Sequence, residues 1–283
     1  VGDVRAGGAL VISARGPVHA DAAFAKYAER GAYHWEEIGH GLLSHNAFTA
    51  ERYRTMADRA APRPGHRVLD YGCGDGALLG VLHRRFKRQR IELHGFDPNV
   101  VAVELAVAAL ALRDVPATIH GSSTALPSVY FDRVICTEVI EHAAAPEKLL
   151  VEIARVLKPH GRLVMSTPIR LTEEPEDSNH VKEWFPGEFS RLFETGAWSV
   201  LGHEQVVPAA APEAYFWRPS LFARVPVFRL VCNLVSIYAG VNAMSWLRMR
   251  PRLFMMQIVV AEKAGPQPQQ ESIPEQVTKW QSL

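Results

Sequence analysis

The sequence predicts an α/β fold built on a doubly wound, mostly parallel sheet of seven strands. Three observations predict it. Short apolar strands alternate with helical segments from residue 64 onward, the pattern of βαβ units. The first strand runs into glycines at alternating positions, Val68-Leu69-Asp70-Tyr71-Gly72-Cys73-Gly74-Asp75-Gly76, and a helical segment follows. The second strand ends at an acidic residue, Asp97. Glycines let the backbone turn sharply and approach a ligand. Open α/β sheets bind ligands at the carboxyl ends of their strands.

Residues 1–20 read as an irregular leader. Residues 21–63 read as a helical cap, with Phe24, Tyr27, Tyr33, Trp35, Phe48 and Tyr53 at helical spacing. Ala61-Pro62-Arg63-Pro64-Gly65 breaks the helix before the core at 64–206. Strands are predicted at Arg67–Tyr71, Ile91–Phe96, Ala117–His120, Phe131–Cys136, Arg162–Ser166 and Trp198–Val206. Helices are predicted at Ala77–Phe86, Asn99–Leu112, Pro146–Leu157 and Pro186–Thr195. Residues 207–252 form an apolar helical insertion. The last core strand, Phe254–Ala261, lies within 253–264, and the Pro- and Gln-rich tail at 265–283 reads as disordered.

Bulk composition narrows the function classes. The 283 residues are 48% hydrophobic and 22% charged, enough apolar content to bury a core. A net charge of +1 gives no global field to recruit nucleic acid or an anionic membrane. Three cysteines, Cys73, Cys136 and Cys232, have no metal-type spacing and suit a reducing compartment. Ala9-Leu10-Val11-Ile12 is too short for a signal-peptide core, so a cytoplasmic protein is expected.

The glycine loop admits three cofactor classes. A phosphate loop fails because no Gly-Lys-Ser/Thr follows. A dinucleotide site and an S-adenosylmethionine site both suit Asp97, whose carboxylate can accept from two ribose hydroxyls. Further motifs follow in order: Gly95-Phe96-Asp97-Pro98-Asn99, then Phe131-Asp132-Arg133-Val134-Ile135-Cys136-Thr137-Glu138-Val139-Ile140-Glu141-His142, then Leu157-Lys158-Pro159-His160-Gly161-Arg162-Leu163. Together with Val68–Gly76, over about residues 64–206, they resemble the class I S-adenosylmethionine-dependent methyltransferases, with a Rossmann-like core. The resemblance implies that Asp70, Gly72, Cys73, Gly74 and Gly76 hold the amino-acid end of the cofactor. It implies that Asp97 and Pro98 meet the ribose, that Ser122 and Thr124 flank the adenine, and that Thr137 and Glu138 lie beside the reactive end.

Glu138-x-x-Glu141-His142 is the candidate chemical constellation. On a helical turn, positions i, i+3 and i+4 share a face. Two carboxylates and an imidazole there can supply a base or hold a divalent cation, and the metal-free reading is favoured. His180, after the fifth strand, is expected to approach His142 because such loops converge at one sheet end. His142, His180 and Glu141 are therefore the expected catalytic residues. The pattern is similar to small-molecule O-methyltransferases of ubiquinone, sugar and polysaccharide pathways. It partly resembles metal-dependent small-RNA 2′-O-methyltransferases, whose later segment is similar to His180-x-x-Glu183-Trp184-x-x-x-Glu188-Phe189.

A short Pro168–His180 stretch and the lack of an aromatic-plus-basic groove disfavour a nucleic-acid partner. The expected function is O-methylation of a small-molecule hydroxyl, with a sugar or glycan-pathway intermediate first. The alternatives are an RNA ribose, a lipid- or quinone-type acceptor at a membrane, and a non-catalytic cofactor-binding domain. The cap residues Tyr33, His34 and Trp35 are candidates to line the pocket. The apolar run Leu221–Leu247 reads first as a lid helix. Its second reading is an interfacial helix flanked by Arg224, Arg229, Arg248, Arg250 and Arg252.

Overall fold

The computed structural model describes residues 4–6, 9–12, 25–175, 177, 179–208, 210–216, 227–246 and 254–265. The strands are β1 (Val4–Ala6), β2 (Ala9–Ile12), β3 (Arg67–Tyr71), β4 (Glu92–Phe96), β5 (Thr118–His120), β6 (Phe131–Thr137), β7 (Leu157–Pro168), β8 (Trp198–Pro208) and β9 (Phe254–Lys263). The helices are α1 (Ala25–Arg30), α2 (Tyr33–Glu37), α3 (Ala47–Ala60), α4 (Ala77–Arg85), α5 (Val100–Ala111), α6 (Pro146–Val156), α7 (Pro186–Arg191), α8 (Ala210–Phe216) and α9 (Val227–Ala239). The strands form one sheet in the order β1-β2-β5-β4-β3-β6-β7-β9-β8.

The seven-strand core predicted from sequence is β5-β4-β3-β6-β7-β9-β8. Its first five strands are parallel, and β9 runs antiparallel to both β7 and β8. Successive strands leave β3 in opposite directions, with β4 on one side and β6 on the other. This switch point opens a crevice at the carboxyl end of β3.

Strand residues alternate between two core layers. Val68, Ile135, Val164 and Ile258 join Trp35, Met56 and Leu79 of the helices on one face. Leu69, Val134, Leu163 and Val259 join Ile153, Trp184 and Phe189 on the other. With both faces covered, the central strands read as continuous apolar runs. Local signals set the helix starts. Asn99 Oδ1 accepts from Ala102 N–H at 3.1 Å to cap α5, and Pro146 opens α6.

Three expectations are corrected. Part of the leader is ordered as a hairpin, with β2 parallel to β5. Without it β5 would be an open edge of the sheet, and the apolar Ala9–Ile12 segment pairs with its free backbone groups. The helix predicted at Pro186–Thr195 ends at Arg191 with Leu192 as its C-cap, and Gly196, at a positive φ of 74°, turns the chain toward β8. The described part of the insertion, α8 and α9, packs on α3 and on the loop at 42–45, and none of its residues lines the crevice. Its buried contacts join a small apolar cluster, Ala211, Tyr215, Cys232 and Met244 against Ala47, to a set of polar bonds. Asn233 Nδ2 donates to the carbonyls of Leu42 and His45 at 2.9 Å each, and His45 Nε2 bonds Ser236 Oγ at 2.9 Å. The tail from 266 onward, the rest of the leader, Phe24, Arg224, Arg248, Arg250 and Arg252 lie outside the described residues. Among the described residues no helix is long and apolar enough to cross a membrane.

The cap is keyed to the core at Gly80 of α4, where an added Cβ would lie 2.2 Å from Trp35 Cη2. Glycine-to-alanine changes inside helices usually stabilise by about 1 kcal/mol. Here the sign reverses, because the indole has nowhere to move. Gly80→Ala is expected to lower stability by about 1–3 kcal/mol, read as a reduced urea midpoint with unchanged slope.

Candidate active site

The glycine loop adopts the geometry its composition requires. Gly72, Gly74 and Gly76 have φ of 83°, 52° and 78°, a region that L side chains rarely adopt. A Cβ on Gly72 would lie 2.3 Å from Val139 Cγ2. Asp97 ties this loop to the next strand. Gly74 N–H donates to Asp97 Oδ2 and Asn99 N–H to Oδ1, each at 2.9 Å. Asp75 ties it to the cap. Its Oδ2 accepts from His34 N–H at 2.9 Å, and its carbonyl accepts from Trp35 Nε1–H at 2.7 Å.

A cleft of about 620 Å³ opens over this loop. It brings together Asp70, Gly72, Cys73, Asp97, Pro98, Thr137, Glu138, Glu141, His142 and His180, ten of the residues expected from sequence. Gly74 and Gly76 lie behind it. The Tyr27 hydroxyl covers Gly74, standing 2.0 Å from where a Cβ would be. Ser122 is not part of the lining. Its hydroxyl bonds Thr124 Oγ1 at 2.8 Å and accepts from Thr124 N–H, so it caps a turn instead. No described residue of the insertion lines the cleft.

Glu138, Glu141 and His142 do not share a helix face as predicted. β6 ends at Thr137, Glu138 takes φ of 55°, and only a single 3-10 turn, Ile140–His142, follows. The two carboxylates therefore part. Glu138 Oε1 accepts from Ser166 Oγ at 3.2 Å, and its Oε2 lies 3.5 Å from Arg52 Nη1. Glu141 turns inward and is fully buried. Its Oε2 accepts from Thr167 Oγ1 at 3.1 Å, while Oε1 has no hydrogen-bond partner. Burial first, and Glu138 second, push its carboxyl well above the usual range.

His180 does approach His142, their rings meeting edge to face at 5.0 Å. Each Nδ1 faces an acceptor. His142 Nδ1–H donates to the carbonyl of Asn179 at 2.9 Å, and His180 Nδ1–H to Glu183 Oε1 at 2.6 Å. The bond to Glu183 places the lone pair of a neutral His180 ring on Nε2. Burial lowers the His142 pKa, so this ring is neutral at pH 7. One ligand atom each from Glu141, His142 and His180 lies within 4.8 Å of the others, a spacing able to hold a metal ion.

Sequence reasoning missed Arg52, Tyr27 and the role of Glu183. Arg52 and Tyr27 reach the cleft from helices with no motif. The Glu183 partner is visible only as a three-residue spacing from His180.

A family described as "Methyltransferase domain" matches residues 44–208. The chain belongs to this family, within the class I S-adenosylmethionine-dependent methyltransferases. It is 36% identical over 109 residues to the mitochondrial ubiquinone biosynthesis O-methyltransferase of Schizosaccharomyces pombe, covering 36% of this chain and 38% of that protein. It is 30% identical over 155 residues to a protein of Mycolicibacterium smegmatis described as a probable S-adenosylmethionine-dependent methyltransferase, covering 52% of this chain and 56% of the relative. The matches thus span about half the relatives' lengths or less. Among solved structures, phosphoethanolamine N-methyltransferase 2 of Haemonchus contortus, bound to S-adenosyl-L-methionine, superposes with a TM-score of 0.57. That match has 17% identity and covers 85% of this chain and 58% of the other.

The cleft suits this cofactor. Thr137 Oγ1 is buried there without a partner. Burial raises Asp70 to about 8 and Asp97 to about 6, so a ligand with sulfonium and ammonium charges would favour their ionised forms. Ionised carboxylates attract the cation, so binding should tighten as pH rises through about 6 to 8, with proton release on binding. Calorimetry at pH 5.5 and 8.5, in buffers of different ionisation enthalpy, checks this. Asp70→Asn should flatten the dependence.

Proposed function

We propose that the protein transfers the methyl group of S-adenosylmethionine to a hydroxyl of a small-molecule acceptor, a ring hydroxyl of the quinone-precursor kind. The observation that carries it is the Glu183–His180 pair, a buried carboxylate holding an imidazole at 2.6 Å beside the cofactor cleft. When bound, the cofactor supplies an electrophilic methyl group. The chain's own residues must then orient a nucleophile and remove its proton.

Proton removal separates oxygen from nitrogen acceptors. A neutral amine attacks with its own lone pair, whereas a hydroxyl needs a base. His180 Nε2 is that base, and Glu183 both fixes the ring and stabilises the imidazolium that forms. The neutral His142 ring flanks the same space. A phenolic hydroxyl, with a pKa of about 10, is a better proton donor to imidazole than a sugar alcohol. The names of the ubiquinone-pathway relatives agree with that choice, and the sugar acceptor expected from sequence is set aside. The Tyr27, Tyr33, His34 and Tyr53 rings on the cap side of the cleft suit an aromatic acceptor.

The test is methyl transfer to simple catechols and phenols against sugars. His180→Ala should lower kcat about 100-fold or more while leaving affinity for S-adenosylhomocysteine unchanged. Glu183→Gln should fall between that variant and the parent. A His180→Ala enzyme with parental kcat would remove His180 as the base.

A second reading rests on Glu141 Oε1, buried and unpartnered beside the two imidazoles. A divalent cation there would replace the Glu141 proton and present the acceptor hydroxyl. Titration of the protein with Mg²⁺, Mn²⁺ and Zn²⁺, and activity before and after a chelator, separate the readings. Full activity after chelation supports the metal-free base.

A further inference from the structure

The end of the sheet away from the cleft carries a second cavity, of about 290 Å³. It lies at the amino ends of β6 and β7, where the loop before β3 and the last residues of β9 also arrive. Lys158, His160 and Arg162 line it, so the Leu157–Leu163 motif has a place here that methyl transfer does not use. Between the register pairs Phe131↔Leu157 and Arg133↔Arg162, β7 holds three more residues than β6. Within them His160 takes a left-handed φ of 59°, a conformation that costs a non-glycine residue energy.

The cavity is unevenly charged. Arg63, Arg133, Lys158 and Arg162 line it with only two carboxylates, Asp132 and Glu262. Both carboxylates are engaged. Asp132 Oδ1 accepts from Lys158 Nζ at 2.7 Å and its Oδ2 from Arg67 N–H at 2.9 Å. Glu262 Oε1 faces His160 Nδ1 at 3.1 Å. The arginines on the strands are tethered by backbone instead. Arg133 Nε donates to the Ala60 carbonyl at 2.8 Å, and Arg162 Nη1 to the Arg59 carbonyl at 3.2 Å, both in the last turn of α3. Arg133 Nη1 donates to the Asp132 carbonyl at 2.8 Å. Among the described residues neither guanidinium forms an ion pair.

These two arginines are register partners on neighbouring strands, a placement in which like charges repel. Burial first, and Arg162 next, lower the Arg133 pKa. Each guanidinium carries more donors than these bonds use, and Arg162 Nε is buried without a partner. Before either histidine is counted, the cavity has two positive charges in excess. Guanidinium forks with that excess suit a tetrahedral dianion better than a single carboxylate. Apart from the imidazoles of His66 and His160 no aromatic ring lines the cavity, so a nucleobase has no platform to stack on.

We propose that this cavity binds the phosphate or diphosphate group of a small molecule, held by Arg63, Arg133, Lys158 and Arg162. It lies at the opposite end of the sheet from the methyl-donor cleft, so it stands or falls apart from the choice of acceptor.

The test is calorimetric titration of the full chain with inorganic phosphate, pyrophosphate and acetate at low salt, with excess S-adenosylhomocysteine present to occupy the cleft. Pyrophosphate should bind with a Kd of about 1 mM or tighter, and acetate about tenfold or more weakly than that. A pyrophosphate signal without a phosphate signal assigns the cavity to diphosphates, and comparable signals assign it to single phosphates. Arg162→Gln and, separately, Arg63→Glu should each weaken pyrophosphate about tenfold or more. Arg63 is exposed, so its reversal leaves the fold in place, and unchanged S-adenosylhomocysteine affinity shows that each variant is folded. Absence of phosphate and pyrophosphate binding up to about 10 mM overturns the proposal. So does an affinity that neither variant changes, which puts the anion elsewhere, or acetate that binds as tightly as pyrophosphate.

Discussion

The rest of the site depends on how the Asp97 carboxylate is held. It accepts from Gly74 N–H on one side and Asn99 N–H on the other, and so locks the turn after β3 to the start of α5. Both bonds favour the ionised form, yet burial outweighs them and raises the group to about 6. Asp70 beside it is raised further, to about 8. Two acids that resist ionising at the carboxyl ends of the neighbouring strands β3 and β4 store electrostatic cost that a cationic ligand relieves. The cofactor is thereby part of the electrostatic balance of the fold.

The same loop organises the cap. Asp75 receives His34 N–H and Trp35 Nε1–H reaches its carbonyl, while the Trp35 indole fills the space left by Gly80. This places Tyr27, Tyr33 and Tyr53 over the cleft. On the opposite wall, residues 138–142 divide their charges. Glu138 faces Arg52 and Ser166, and Glu141 faces Thr167. The separation leaves the two imidazoles facing each other with their Nδ1 atoms occupied. A positive φ at Glu138 is the local strain that makes this division.

The insertion obeys a different rule from the core. Core residues reach the interior by being apolar, whereas α9 adds the bonded polar groups Asn233 and Ser236 to a small apolar contact of Cys232 with Ala47, Tyr215 and Met244. Burying these groups costs little because each is bonded, while Val231 and Leu234 on the other side stay exposed. Hydropathy alone does not distinguish this arrangement from a buried lid helix, because both present an apolar run of the same length. The direction that run faces depends on which partner the polar residues find.

Sequence alone determined the strand order's local ingredients. Alternating βα segments, three glycines after Tyr71 and the acid at the end of β4 follow from backbone sterics and periodicity, and these act over a few residues. Strand bounds accordingly agree within a residue or two at β3, β4 and β6. The meeting of His142 with His180 was legible too, because consecutive loops of a parallel sheet share one end. Tertiary structure decided the remainder. Glu138 left the helical face because β6 ends one residue before it, Ser122 turned to Thr124, and the leader paired with β5. Arg52 and Tyr27 reach the cleft only through packing of the cap, and that packing, like the pairing of the leader, joins residues far apart in the chain that no spacing encodes. The Ser122–Thr124 and His180–Glu183 bonds are local, and the path of their loops decides that they form.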